Sequence, residues 1–347
     1  MLALTLIIPK YQMPSRITLA DVAQAAGVSL MTVSRVVNQK EGVSEATRHQ
    51  VVEWIEQLGY RPSSIARSLV TRRTGTLGLI VPDIANPYFS GIAHGVAEIA
   101  YAQGFSVLLC DAEENPQREY NLLQVLEEKQ VDGVLMAAPR LSSDDLLPAL
   151  QRHDNVVILN RLFKIDKNTI GCVLNDDKVG GRIVTQFLIE RGHNHIGFLS
   201  GPVISYGSKQ RVQGFKAATK QANLPFQAEM VQSCPPTVVG GKEAARRFLQ
   251  QHPEVTGLLC FNDMVAIGAL QASLEVGRRI PQDLAIVGYD DIPMAALVTP
   301  ALTTCRVSFE EMGRLATQLL IDHLNNCQEG CKNIVLTPEL IIRASAI

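Results

Sequence analysis

Apolar residues at Leu19, Val22, Ala23 and Ala26 recur at i, i+3, i+4 and i+7, which predicts a short helix with one inward face. Thr18 stands where an N-cap belongs, and Asp21 three positions on completes a capping pattern at the positive end of the helix dipole. Gly27 permits a tight reversal. Ser29 is placed to cap a second helix whose Val33, Val36 and Val37 turn inward. A third helix follows, capped by Ser44, with Val51, Val52, Ile55 and Leu58 as its inner stripe and Gly59 ending it in the left-handed conformation.

From Thr76 the pattern changes to apolar runs alternating with amphipathic stretches. TLGLIVPDI, FSVLLCDA, VDGVLMAA and VVILN read as buried strands, with helices near 89–103, 116–129 and 144–152 between them. A second series follows: IGCVLND, HIGFLSG, EMVQSC, GLLCFND and LAIVGYDD, with helices near 178–191, 210–223, 240–250 and 264–276. Strands alternating with helices imply parallel sheets covered on both faces, and two series imply two subdomains with a cleft between them. Ligands in such an architecture bind beyond the carboxyl ends of the strands. After the second series come LTTCRVS, a helix near 309–325 and the segment NIVLTPELIIRAS.

The two helices within 18–38 have the spacing of a helix-turn-helix, whose second helix enters the DNA major groove. Ser29, Thr32 and Ser34 are hydroxyls near its start, suited to phosphate oxygens, and Arg35 can pair with a guanine edge or clamp a phosphate. Leu30 and Met31 fall off the inward face and point to thymine methyls or apolar base edges. Asn38 is either a base reader or the helix C-cap. Beyond the third helix stands Tyr60-Arg61-Pro62-Ser63-Ser64-Ile65-Ala66-Arg67-Ser68-Leu69. Together with 18–59, this segment resembles the lactose-repressor (LacI/GalR) family of bacterial transcription regulators.

The resemblance implies an N-terminal all-α helix-turn-helix headpiece joined to an α/β periplasmic-binding-protein-like effector domain of two doubly wound parallel-sheet subdomains. It implies that Thr18 belongs to the DNA-contacting set. It also implies that the segment after Pro62 forms a hinge helix only when two copies meet in the minor groove. There Leu69 acts as the wedge that bends the operator, flanked by Arg67 and Ser68. A helix so short is marginal alone, because nucleation is costly. The partners implied are a palindromic double-stranded DNA operator, a small polar effector (sugar, sugar acid or other metabolite) and a second copy of the chain. No leucine heptad tail follows the last strand, so a homodimer is expected.

Four places match the family's effector-binding signatures. They are Tyr88 and Phe89 after the first strand, Arg211 after Gly201-Pro202, Asn262 in Phe261-Asn262-Asp263, and Asp290 in Gly288-Tyr289-Asp290-Asp291. Tyr88 and Phe89 are equally compatible with core positions, and Arg211 with pairing to Asp290 when no ligand is bound. Asp263 reads as the N-cap of the helix from Met264 to Val276, and Asp176 as the cap of the helix near 178–191. The expected organisation is a disordered extension at 1–15 with Met13 as an alternative start, the headpiece at 16–62, and a hinge helix and linker at 63–74. The effector domain then fills 75–347. Its N-subdomain comprises 75–174 and 303–330 and its C-subdomain 175–302 and 331–347, with crossings near 174, 302 and 330.

Charge and composition add to this picture. Residues 1–74 hold nine Lys/Arg against five Asp/Glu, and the remaining chain 23 against 29, so a basic head precedes an acidic body. Of the 347 residues 46% are hydrophobic and 19% charged, which marks a folded core. The seven cysteines are scattered, most in apolar runs, and read as small core residues of a reducing, cytoplasmic compartment. His323, Cys327 and Cys331 recur every four residues, but Gly330 interrupts that helix and a fourth ligand is missing, so neither a metal nor a cofactor is expected. The opening seven-residue apolar run is too short to span a membrane. Two rival classes remain. A free sugar-binding protein would share the body but not residues 18–69. A doubly wound enzyme would need a G-x-S-x-G, P-loop or strand-linked G-x-G-x-x-G, and none occurs.

Overall fold

In the computed structural model the described residues are 17–38, 40–61, 73–163, 170–325 and 333–347. The extension at 1–15 and the hinge residues Arg67, Ser68 and Leu69 lie outside them. The chain divides into two compact units, residues 1–74 and 75–347.

The first unit contains α1 (Leu19–Ala25), α2 (Leu30–Val37) and α3 (Glu45–Leu58). Thr18 and Asp21 form the reciprocal capping box, with Thr18 N–H donating to Asp21 Oδ2 at 2.7 Å. Gly27 and Gly59 adopt φ of 62° and 63°, where a side chain is strained. Val22, Ala23, Ala26, Val33, Val36, Val51 and Tyr60 are the buried cluster at the centre of the three helices. Val52 is 40% exposed and does not join the inner stripe of α3. Val51, Ile55 and Leu58 keep the i, i+4, i+7 spacing, and Trp54 packs against the same cluster.

The second unit has two six-stranded sheets. The first contains β1 (Thr76–Val81), β2 (Ser106–Asp111), β3 (Gly133–Ala137), β4 (Val156–Leu159), β5 (Ile170–Asn175) and β11 (Asn333–Leu336), in the order β11-β5-β4-β3-β1-β2, all parallel. The second contains β6 (Ile196–Ser200), β7 (Val231–Ser233), β8 (Gly257–Cys260), β9 (Ala285–Asp290), β10 (Thr303–Arg306) and β12 (Glu339–Ile341), in the order β12-β10-β9-β8-β6-β7. Among the described strands of this sheet, only β12 runs antiparallel to its neighbour. The helices that join these strands are α4 (Pro87–Ala102), α5 (Pro116–Glu128), α6 (Ser143–Leu150), α7 (Asp177–Glu190), α8 (Tyr206–Gln221), α9 (Val238–Gln251), α10 (Asp263–Glu275) and α11 (Phe309–Leu324).

Strand periodicity explains how each sheet is covered on both faces. Leu77, Leu79 and Val81 of β1 enter one hydrophobic cluster, while Ile80 enters another on the opposite face. In β8, Leu259 faces one cluster and Leu258 and Cys260 the other. The cluster holding Leu77 and Leu79 also holds Phe198, Phe215 and Tyr289, so one apolar core runs through both subdomains.

Among the described residues the chain crosses between the sheets three times, at 176, 307–308 and 337–338. The first crossing follows β5, close to the expected 174. The other two fall later than 302 and 330. Thr303–Arg306 pairs with β9 before leaving the second sheet, and Asn333–Leu336 pairs with β5 before leaving the first. An apolar strand pattern identifies the strand but not which sheet it joins.

Candidate functional site

In the first unit, Ser29 caps α2: its Oγ accepts from Thr32 N–H at 3.1 Å and lies 2.9 Å from Thr32 Oγ1. These two hydroxyls therefore begin as helix-end partners. Leu30 and Met31 are 55% and 65% exposed, whereas Val33 and Val36 are buried. That places both apolar side chains on the outer face of the helix. Arg35 is exposed on the next turn. Asn38 is the C-cap, and its Nδ2 donates to Ser34 O at 2.8 Å. Gln50 was not singled out by sequence; its amide donates to Ala26 O at 3.1 Å and ties α3 to the turn between the first two helices.

In the second unit, the carboxyl ends of the strands converge on a cavity of about 420 Å³, part of it open to solvent. Tyr88, Phe89, Arg211, Asn262 and Asp290 all line it. Arg211 rises from α8 and is 4% exposed. Its Nε donates to Asp177 Oδ1 at 2.9 Å, an Nη1 proton goes to Phe261 O, and Nη2 lies 3.8 Å from Asp290 Oδ1. The guanidinium also stacks 3.5 Å from the Tyr289 ring centre. Burial alone would lower its proton affinity, but Asp177 and Asp290 outweigh burial and keep it a cation.

The expected Arg211–Asp290 pair is thus the looser of two, and Asp177 is the closer partner. Sequence reading passed over Asp177 because Asp176 beside it looked like the cap. Asp176 does cap α7, accepting from Val179 N–H at 3.0 Å, and Asp177 is the next residue. Asp290 sits at φ 110°, and burial pushes its carboxyl well above the usual range against the pull of Arg211. Its carboxylate is short of hydrogen-bond donors, which a ligand can supply.

Tyr88 and Phe89 are both core and cavity wall, at 4% and 5% exposure. Tyr88 Oη accepts from Asn160 Nδ2 and, at 3.3 Å, from Asn175 Nδ2. Burial first, and then the charges of Asp290 and Asp177, push the phenol up, so it remains a neutral donor. Asn175 Oδ1 is buried without a partner among the described residues. Asn160 and Asn175 were missed; Asn175 ends β5 and Asn160 directly follows β4, and those positions were the signal available.

Asn262 does line the cavity, but its side chain is already engaged. Oδ1 accepts from Val265 N–H at 2.9 Å and Nδ2 donates to Pro236 O at 3.3 Å. It is the cap of α10, and Asp263 is not. Asp263 lies one residue inside the helix and turns into the core, accepting from Thr304 Oγ1 at 2.6 Å and Ile292 N–H at 2.9 Å. It thereby ties the Asp290–Asp291 turn to β10. Among the described residues no group of His, Cys, Asp and Glu could hold a metal ion, and Cys327 and Cys331 lie outside those residues. No helix among them is long and apolar enough to cross a membrane.

Comparison with known proteins matches both units. Residues 18–63 fit the description "Bacterial regulatory proteins, lacI family", and residues 74–344 fit "Periplasmic binding proteins and sugar binding domain of LacI family". The HTH-type transcriptional repressor PurR of Haemophilus influenzae (strain PittEE) is 37% identical over 332 residues, covering 94% of this chain and 98% of that one. A transcriptional regulator CelR–cellobiose complex superposes with TM-score 0.73 at 33% identity, over 95% of this chain and 100% of that one. A lac repressor dimer bound to operator and the anti-inducer ONPF shares the fold, with TM-score 0.85 at 24% identity, over 96% of this chain and 100% of that one. With a capped helix-turn-helix in one unit, a two-sheet binding cleft in the other and relatives that are repressors rather than enzymes, the chain belongs to the LacI family of DNA-binding transcriptional regulators.

Proposed function

We propose that the chain is a homodimeric repressor that holds a palindromic operator and changes its grip when a sugar, sugar acid or other polar metabolite enters the cleft. Arg35 reads or anchors the major groove, and Leu30 and Met31 select apolar base edges. Ser29, Thr32, Ser34 and Thr18 meet phosphates. The hinge residues Arg67, Ser68 and Leu69 complete the contact in the minor groove. In the effector domain, Arg211 and Asp290 bind ligand oxygens, with Tyr88, Phe89 and Asn262 as the surrounding wall. The N-subdomain comprises 75–175 and 309–336, and the C-subdomain 177–306 and 339–347. Three parallel crossings allow rotation of one against the other while restraining their separation. The protein works in the cytoplasm, where its DNA is.

The observation that carries this reading is the exposure of Leu30, Met31 and Arg35 together on a capped helix whose Val33 and Val36 are buried on the other side. A large apolar pair held in water needs a partner, and a groove edge supplies one. The experiment is a mobility shift on a random duplex pool at two salt concentrations, followed by sequencing of the retained fraction. A palindromic consensus whose affinity falls steeply with salt supports the proposal, and retention without any consensus refutes it. Coupling is then read in both directions, because a ligand that alters operator affinity must itself be bound more or less tightly by the same factor when DNA is present.

A further inference from the structure

Two loops on the N-subdomain side of the cleft carry a charge pair that has no part in the reading above. The loop after β2 holds Glu113 and Glu114 at φ 50° and 54°, and the loop after β3 holds Ala138 at φ 45° followed by Pro139, Arg140 and Leu141. The Arg140 guanidinium spans them. Its Nε donates to Glu114 Oε2 at 2.6 Å, Nη2 to Oε1 at 2.9 Å and Nη1 to Ala138 O at 2.7 Å. The arginine side chain is 3% exposed and the glutamate 23%. Beneath them the buried Glu119 accepts from the backbone N–H of Arg140 at 2.8 Å and of Leu141 at 3.1 Å, which fixes where the arginine starts. Glu114 and Arg140 line the same cavity as Asp177, Arg211 and Asp290.

A guanidinium has five N–H donors. Among the described residues three are engaged, which leaves one on each Nη. Each Glu114 oxygen accepts one bond and keeps room for another. The wall thus offers a donor and an acceptor side by side. A vicinal diol answers both, one hydroxyl accepting from Arg140 and its neighbour donating to Glu114. An anionic end group does not. Arg140 is already neutralised by a bidentate carboxylate, and that carboxylate repels a second one. The opposite wall gives no refuge, since Arg211 there is shared between Asp177 and Asp290.

We propose that Arg140 and Glu114 determine effector specificity on the N-subdomain wall, reading a vicinal diol on an uncharged end of the ligand and rejecting an anionic one. The proposal rests on the cleft being the effector site.

The test uses the full-length protein and thermal-shift titrations with cellobiose, D-glucose and D-galactose against D-glucuronate and D-galacturonate. Wild type should be protected by a neutral member, with the matching acid weaker by about tenfold or more. Glu114→Gln should shrink that neutral-to-acid ratio by about tenfold. Arg140→Lys keeps the charge but loses the planar fork, and should weaken the neutral ligand. If both variants lower the unliganded melting temperature but leave the ratio unmoved, the pair is only a loop lock and the proposal is overturned. Arg211→Ala separates the two levels of argument. If it abolishes protection while Glu114→Gln and Arg140→Lys leave selectivity unchanged, only the specificity proposal falls. If protection survives Arg211→Ala, or no member protects the wild type, the effector-site reading falls with it.

Discussion

Replacing Arg211 by methionine tests the electrostatic logic of the cleft without needing a ligand. Methionine roughly keeps the length and apolar stem of the side chain but removes the charge and all donors. Arg211, Asp177 and Asp290 are 4%, 3% and 4% exposed, so each carboxylate stays largely withdrawn from water when the guanidinium is lost. Removing one member of a buried ion pair costs about 3–5 kcal/mol, mainly because the remaining charge is left uncompensated. The loss should depend on pH. Burial already holds the Asp290 carboxyl above the usual range, and Arg211 opposes that rise. Without Arg211 the folded-state value rises further above the unfolded one. In both proteins the stability from the protonated form is complete below about pH 4 and fades as pH rises, but in the variant it goes on fading to a higher pH, so the penalty never shrinks with pH and grows above the wild-type folded value. Urea unfolding followed by far-UV circular dichroism at pH 5 and pH 8 measures it. The single tryptophan, Trp54, lies in α3 of the other unit, so its fluorescence serves as an internal control that should stay unchanged. The pair Asp177→Asn with Arg211→Met should recover part of the loss, because one stranded charge is gone. A loss under about 1 kcal/mol at pH 8, or one smaller at pH 8 than at pH 5, refutes the reasoning.

Gly181→Ala would set a methyl carbon 2.4 Å from Arg211 O and 2.9 Å from Arg211 Cα. Helix α8 must move away from α7, which should cost about 1–3 kcal/mol and blunt ligand protection; an unchanged melting curve would contradict the packing. Leu30→Ala and Met31→Ala should change which base pairs a random pool retains while moving headpiece stability by less than about 0.5 kcal/mol, and a larger loss measured by Trp54 fluorescence would return them to the core. Burial raises the Asp263 carboxyl to about 7 despite its bonds from Thr304 and Ile292. Its folded value exceeds the unfolded one, so its contribution is complete below about pH 4 and fades between pH 4 and 7. Asp263→Asn should therefore flatten the stability profile of the second unit across that window, and parallel profiles for the two proteins would count against the assignment.

Much of the cleft is legible in the sequence, for reasons that can be traced to individual residues. Tyr88, Arg211, Asn262 and Asp290 all stand at or beyond the carboxyl ends of strands in a parallel sheet, and that topology sends such positions to one rim. The chemistry assigned to each was less secure. Asn262 and Asp263 are neighbours with similar capping ability, and only the direction of the first turn of α10 decided that Asn262 caps while Asp263 faces Thr304. Asp177 and Asn175 were passed over because their partners, Arg211 and Tyr88, are remote in the chain and no local pattern announces them.

Taken alone, the order of residues determined what local physics controls. Three capped helices follow from Thr18, Ser29 and Ser44, from glycines at positive φ and from apolar spacing near 3.6. The two doubly wound series follow from alternating buried strands and amphipathic helices. Helix propensity, capping and side-chain periodicity act over a few residues and can be read directly. Tertiary structure alone decided which sheet received Thr303–Arg306 and Asn333–Leu336, which carboxylate took Arg211, and that Arg140 would meet Glu114 across two loops. Those outcomes depend on strand pairing and on ion pairs buried among residues distant in sequence. Such contacts acquire their energy only after the chain has closed around them and excluded water.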